Sequence, residues 1–308
     1  MIAFIFPGQG SQSVGMARSL YETSPTAKAV LDDIEGTLLG LLTLMFEGPD
    51  KDLTQTQNAQ PALLAHSVAV NAVLQEQGIG PAVVAGHSLG EYSALVAAGC
   101  LDAVAAARLV RIRGQLMAEV GQQVGGTMAA VIGLNREALE QAVAQAQEVG
   151  IVCVANLNAP GQIVISGEEP AVRRASELAS EAGARRVMPL NVSGAFHSPL
   201  MQPAADRFAE VLAQVDLQDA TVPLVSNVDA AERTSAASIR QALLAQLTGS
   251  VRWDDSINRM IAMGVTAFIE VGPGKVLANM LKRSAPDVAA YNADGPEAIA
   301  DVVAALQS

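Results

Sequence analysis

The sequence predicts an α/β fold: a parallel sheet covered by helices, with a small β-α-β-β-α-β unit inserted into it. Two observations carry this. Short apolar runs that end at glycine or proline alternate with Ala-rich helical stretches in the first 120 or so residues, and the same rhythm returns near the C-terminus; in between, strands and helices follow a different order. Half of the residues are hydrophobic but only 3% are aromatic. The core must therefore be built from Ala, Val, Leu, Ile and Met, which suits Ala-rich helices packed on Val/Ile strands.

Taken in order, residues 1–6 form a short apolar run that stops at Pro7-Gly8 and reads as a buried strand. Gln60-Pro61 opens a long apolar helix, with the proline expected near its first turn. Residues 81–86 (PAVVAG) read as a second buried strand, and residues 89–98 as a helix. Asp102 is a plausible N-cap for a helix running to about Val120. The inserted unit follows. TMAAVIGL is a strand and NREALEQAVAQAQEVG a helix capped by Asn135. IVCVANL and QIVISG are strands joined through the turn cluster Asn158-Ala159-Pro160-Gly161. EEPAVRRASELASEAGA is a second helix and RRVMPLNV a last strand. This order is the split ferredoxin-like unit. The expected division is 1–123 with 194–308 as one discontinuous α/β domain and 124–193 as the smaller subdomain. After it, VPLVSNV and TAFIEVG read as strands, KVLANMLKR as a helix, and the tail from about Pro296 as a short helix.

The 308 residues allow a large domain with a smaller one. A net charge of -12 argues against nucleic acid as a partner. The N-terminus has no basic region and too short an apolar run for a signal peptide, and no stretch approaches the ~20 apolar residues of a membrane span. A cytoplasmic protein that does not engage the membrane is expected, with a monomer as the working oligomeric state. Cys100 and Cys153 belong to no CxxC or metal-ligand cluster and read as small buried hydrophobes of a reducing compartment.

Gly86-His87-Ser88-Leu89-Gly90 is G-x-S-x-G between a buried strand and a helix, the context that gives the pattern its meaning. A sharp strand-to-helix turn pushes Ser88 out at the sheet edge, glycines two residues either side let the turn close, and the following helix points its positive end at the serine. A serine hydroxyl needs a general base near neutral pH. There are three histidines. His66 lies inside the apolar helix and reads as a core histidine; His87 is adjacent to Ser88 on a tight turn, where neighbours point apart. His197, in the loop-like stretch 193–199 that follows the inserted unit, is favoured. Its orienting partner stays open between Asp254 or Asp255, which also read as helix-starting carboxylates, and a backbone carbonyl.

On a helical wheel of residues 102–120, Leu109, Ile112, Leu116 and Val120 share one face and Arg113 falls with them, opposite Arg108, Arg111, Gln115 and Glu119. A buried arginine needs an anion. Either a buried Asp or Glu pairs with it, or it awaits a substrate carboxylate held bidentately. FPGQGSQ lacks the third glycine of a dinucleotide loop; as the loop after the first strand it sits at the same sheet edge as the elbow, where Gln9 or neighbouring amides could supply an oxyanion donor. Gly272-Pro273-Gly274-Lys275 lacks the spacing of a phosphate loop and reads as a tight strand-to-helix turn.

With FPGQGSQ, GHSLGEYSAL, the IRG triplet, GAFHSPLM and VRW…EVGPGKVL in this order, the chain resembles, over nearly its whole length, the malonyl-CoA:acyl carrier protein transacylases of fatty acid synthesis. The resemblance implies a hydrolase-like α/β core with a ferredoxin-like insertion, Ser88 as nucleophile and His197 as base. It further implies Gln9 and the Leu89 amide at the oxyanion, Arg113 on the malonyl carboxylate with Gln60 and Phe196 also binding substrate, and the Gln246 carbonyl orienting the histidine. The implied partners are malonyl-CoA and acyl carrier protein, with no metal and no cofactor of the enzyme's own. Candidate carrier-docking cations are Arg173, Arg174, Arg185, Arg186, Lys275, Lys282 and Arg283. Three alternatives stand beside this: a serine esterase or thioesterase, a non-catalytic carrier-binding module, and an acyltransferase of a polyketide pathway.

Overall fold

The computed structural model describes residues 1–307. Six strands form the main sheet: β1 (Ile2–Phe6), β2 (Val83–Gly86), β7 (Leu224–Val225), β8 (Glu232–Arg233), β9 (Ala267–Val271) and β10 (Ala289–Ala293). Their order is β10-β9-β1-β2-β7-β8, parallel throughout except for the β7–β8 hairpin. Alternate residues of β1 enter different cores. Phe4 and Phe6 pack with the helices Thr56–Glu76 and Ala103–Val124, while Ala3 and Ile5 pack with Trp253, Ile257 and Leu281 on the other face. Burial on both faces is why β1 reads as a continuous apolar run instead of an alternating one.

The inserted unit follows the expected order: β3 (Thr127–Ile132), the helix Arg136–Ala146, β4 (Val152–Ala159), β5 (Gln162–Gly167), the helix Glu169–Glu181 and β6 (Arg186–Pro189). Its sheet, β4-β5-β3-β6, is antiparallel and has its own core. The β4–β5 register shifts twice, between Val154 and Asn156 and between Leu157 and Ala159. Asn156 bridges to Val251 of the main unit, with Leu157 N–H donating to Val251 O at 2.9 Å and Val251 N–H to Ala155 O at 2.8 Å. The outer edge of β4 is thus closed by the larger unit, and Asn156 and Asn158 line the cavity between the two sheets.

Several expectations change. Pro61 lies inside the helix Thr56–Glu76, not in its first turn. Its ring nitrogen cannot bond the Gln57 carbonyl one turn back; Arg111, from the neighbouring helix, donates to that carbonyl instead at 2.8 Å. Asp102 and Asn135 do cap their helices, accepting from Ala105 N–H and Ala138 N–H. The stretch VPLVSNV contributes only two strand residues, because Ser226 and Asn227 turn away at the sheet edge. The four helices between Arg18 and Leu53, the helices Gln202–Ala213 and Ala236–Gln246, and the strands β8 and β10 were not anticipated. Among the described residues no helix is long and apolar enough to cross a membrane.

Candidate active site

β1, β2, β7 and β9 run parallel, so their C-terminal ends share one edge, and the loops after β1, β2 and β7 bring Gln9, Ser88 and Asn227 there. The turn after β2 is an elbow. Ser88 has φ 51°, a left-handed conformation that a side chain adopts only under constraint. The constraint is visible. His87 N–H donates to Phe6 O at 3.0 Å, Gly90 N–H to His87 O at 2.9 Å, and Ser88 N–H to Asn227 Oδ1 at 2.7 Å. The flanking glycines are obligatory: a Cβ at Gly86 would stand 1.9 Å from Gly90 C, and one at Gly90 would stand 2.1 Å from Phe6 O.

His197 also has a left-handed backbone, φ 56°, and is buried. Its Nε2 lies 2.8 Å from Ser88 Oγ and its Nδ1 2.9 Å from Gln246 O. A carbonyl only accepts, so Nδ1 carries the proton and Nε2 presents its lone pair to the serine. Burial, with Arg113 nearby, pushes the imidazole pKa down to about 3, so the ring is neutral near physiological pH. The open choice of orienting partner falls to a backbone carbonyl. Asp254 and Asp255 sit in the first turn of the helix Trp253–Ala262, where Asp255 accepts from Arg252 Nε at 2.7 Å. His87 turns away from Ser88 to Asn158 Oδ1, 2.8 Å distant, against Trp253, and His66 lies against Asp294 O at 2.6 Å.

Arg113 is 1% exposed, as the apolar stripe predicts. It donates to Gln60 Oε1 at 2.8 Å, to Gln246 Oε1 at 2.9 Å and to Ser88 Oγ at 3.2 Å, and its guanidinium lies over the Tyr92 ring. It forms no ion pair with any carboxylate among the described residues, and its Nε is unpartnered. A positive charge held by neutral amides beside a serine can receive a small anion. Gln60 is therefore part of the seat of Arg113.

Among the described residues the Leu89 amide has no hydrogen-bond partner, and it stands at the head of the helix Gly90–Ala97, where it can donate to an oxyanion. Gln9 lines the same cavity, with its side-chain amide on Thr56 Oγ1 at 3.2 Å. Phe196, buried beside His197, lines it too. The cavity measures about 740 Å³ and runs between the two sheets, with Asn156, Asn158 and Val164 of the inserted unit on one wall. Among the described residues no cluster of His, Cys, Asp or Glu could hold a metal ion.

Two functional candidates escaped sequence reading. Glu91, three residues after Ser88, is buried and reaches Gln246 and Asn227; Asn227 binds both Ser88 N–H and, through its own amide, Gly86 O at 2.6 Å. The signal for Glu91 was a lone carboxylate in an otherwise apolar helix. Asn227 had none, since nothing in VPLVSNV indicates that its end meets the elbow.

Fold and site together define an α/β enzyme of the elbow-serine class, with a histidine held by a backbone carbonyl and a buried cation beside the serine. Residues 3–300 match the Acyl transferase domain. The chain belongs to this acyltransferase family. It is 53% identical over 284 residues to a Bacillus subtilis protein named malonyl CoA-acyl carrier protein transacylase, covering 92% of this chain and 90% of that one. The crystal structure of an acyl carrier protein S-malonyltransferase from Vibrio cholerae superposes with a TM-score of 0.94 at 44% identity, covering 98% and 99% of the two chains. A malonyl-transacylase in complex with a type II PKS acyl-carrier protein superposes with a TM-score of 0.95 at 40% identity, covering 99% of each chain.

Proposed function

We propose that the protein moves a malonyl group from malonyl-CoA to the phosphopantetheine thiol of acyl carrier protein through an acyl-serine at Ser88. The observation that carries this reading is Arg113, a buried cation in no ion pair with a carboxylate among the described residues, 3.2 Å from Ser88 Oγ. It suits an acyl group that ends in a carboxylate. The names borne by the similar proteins support the same substrate pair.

In the first half-reaction Ser88 Oγ attacks the thioester carbonyl as its proton passes to His197 Nε2. The oxyanion is received by the Leu89 amide and the Gln9 loop. The C–S bond breaks and CoA leaves as the thiol, protonated by His197. In the second, His197 takes the proton of the carrier thiol, whose sulfur attacks the ester, and Ser88 Oγ leaves with its proton restored. Arg113 holds the malonyl carboxylate in both halves. In the same reading, residues 1–123 and 194–308 supply these groups and 124–193 closes the cavity over the acyl chain. A cytoplasmic monomer with no cofactor of its own belongs to the proposal.

Intact mass after brief incubation with malonyl-CoA tests it, with wild type beside Ser88→Ala. One malonyl adduct on wild type and none on the variant is expected. Free malonate without an adduct would indicate a hydrolase instead.

A further inference from the structure

We propose that Glu91 is a positioning residue that aligns the Ser88–His197 pair through Gln246 and Asn227. This rests on the reading of Ser88 as nucleophile. The Gln246 side chain lies between two opposite charges. Its Oε1 accepts from Arg113 and its Nε2 donates to Glu91 Oε2 and, at 3.0 Å, to Ser88 O. A guanidinium on one side and a carboxylate on the other fix which way that amide points. The backbone carbonyl of the same residue accepts from His197 Nδ1. The second Glu91 oxygen accepts from Asn227 N–H at 3.3 Å, and Asn227 grips the elbow at Ser88 N–H and Gly86 O. One carboxylate therefore holds both residues that hold the nucleophile, the base and the arginine.

Both Glu91 oxygens must act as acceptors, since each faces a donor. A glutamine fits the same space but turns an NH2 group against either Gln246 Nε2 or Asn227 N–H, and one of those residues has to move. Protonating Glu91 does much the same, because a carboxyl O–H must then point at a donor. Burial pushes the Glu91 carboxyl up to about 7, against the opposing pull of Gln246, Asn227, Arg113 on the long helix and Arg233 on β8; Tyr92 lies beside it. His197, across Gln246, is held down to about 3 and does not titrate in the same range.

The test is the rate at which a neutral alkyl fluorophosphonate labels Ser88, followed by intact mass. This probe needs the serine and its base but not a malonyl group, so a wrong acyl assignment leaves the rate untouched. Glu91→Gln should label roughly 10²-fold more slowly, the usual cost of small displacements in a reacting pair, with Glu91→Asp recovering part of the loss because it keeps two acceptors. Melting temperatures establish that the variants are folded. Wild-type labelling with Glu91→Gln equally fast would overturn the proposal alone. Wild type that is not labelled would overturn it together with the nucleophile reading. If Glu91→Gln does not fold, the wild-type rate decides: a fall as pH is lowered through about 7 supports the proposal, and a flat rate from pH ~8 to ~5.5 overturns it.

Discussion

At Ser88 and His197 the backbone adopts left-handed conformations that favour glycine, at an expected cost of about 1–3 kcal/mol each. The strain turns both side chains toward each other across 109 residues of chain, to an Oγ–Nε2 distance of 2.8 Å. Ser88, His197 and Arg113 were legible because each breaks a local rule: a serine between elbow glycines, a histidine in a loop, a cation on an apolar stripe. Glu91 and Asn227 were hidden because their meaning lies in partners 136 and 155 residues distant. Arg113→Ala tests the anion receptor. A charge-assisted pair of hydrogen bonds is worth about 3 kcal/mol, so kcat/KM for malonyl-CoA should fall by roughly 10²-fold while that for acetyl-CoA changes far less. An unchanged ratio of the two would remove the arginine from acyl selection.

Among the elements, the helices Thr56–Glu76 and Ala103–Val124 bring the seat of Arg113 together, and their approach depends on Gly114. A Cβ there would stand 2.7 Å from Gln57 Cα and 2.8 Å from Thr56 O, both backbone atoms that cannot swing away. Gly114→Ala should lower stability by about 3 kcal/mol in urea unfolding, and it should lower malonyl transfer as well, because Arg113 sits one residue before. Wild-type stability would mean that the helices are free to part. The long helices and the β-α-β-β-α-β unit could be read from periodicity. The helices Arg18–Thr23, Leu41–Glu47 and Asp50–Leu53 could not, since each spans about two turns or fewer, whereas Pro25–Glu35 has about three turns and an apolar face that periodicity could have shown; β10 escaped because its residues are half exposed at the sheet edge.

For the whole molecule, buried titratable groups oppose one another. Glu91 and Glu270 are raised by burial to about 7 from an ordinary 4.5, so each adds stability as pH falls from 7 to 4.5 and loses it as pH rises through 7. His66, His87 and His197 are lowered by burial from an ordinary 6.5, so the stability they contribute above 6.5 is lost as pH falls toward their folded values, about 3 for His197. Between pH 6.5 and 4.5 the histidine losses and the carboxylate gains oppose each other. Below 4.5 the gains are spent and the slope should steepen. Urea midpoints from pH 4 to 8 measure this; a slope that stays constant below 4.5 would contradict the assignment.

The sequence by itself determined the α/β class, the inserted unit, the elbow serine and the arginine on its apolar stripe. These rest on periodicity, glycine spacing and the cost of burying a charge, all of which act within a few turns of chain. Tertiary structure alone decided what lies opposite each of them. It set two amides and not a carboxylate around Arg113 and one glutamate behind both Gln246 and Asn227, and behind His197 it put the Gln246 carbonyl that the family resemblance implies and that local pattern left open against Asp254 and Asp255. Those choices depend on which loops meet at the C-terminal edge of a parallel sheet, and no local pattern records where distant strands end.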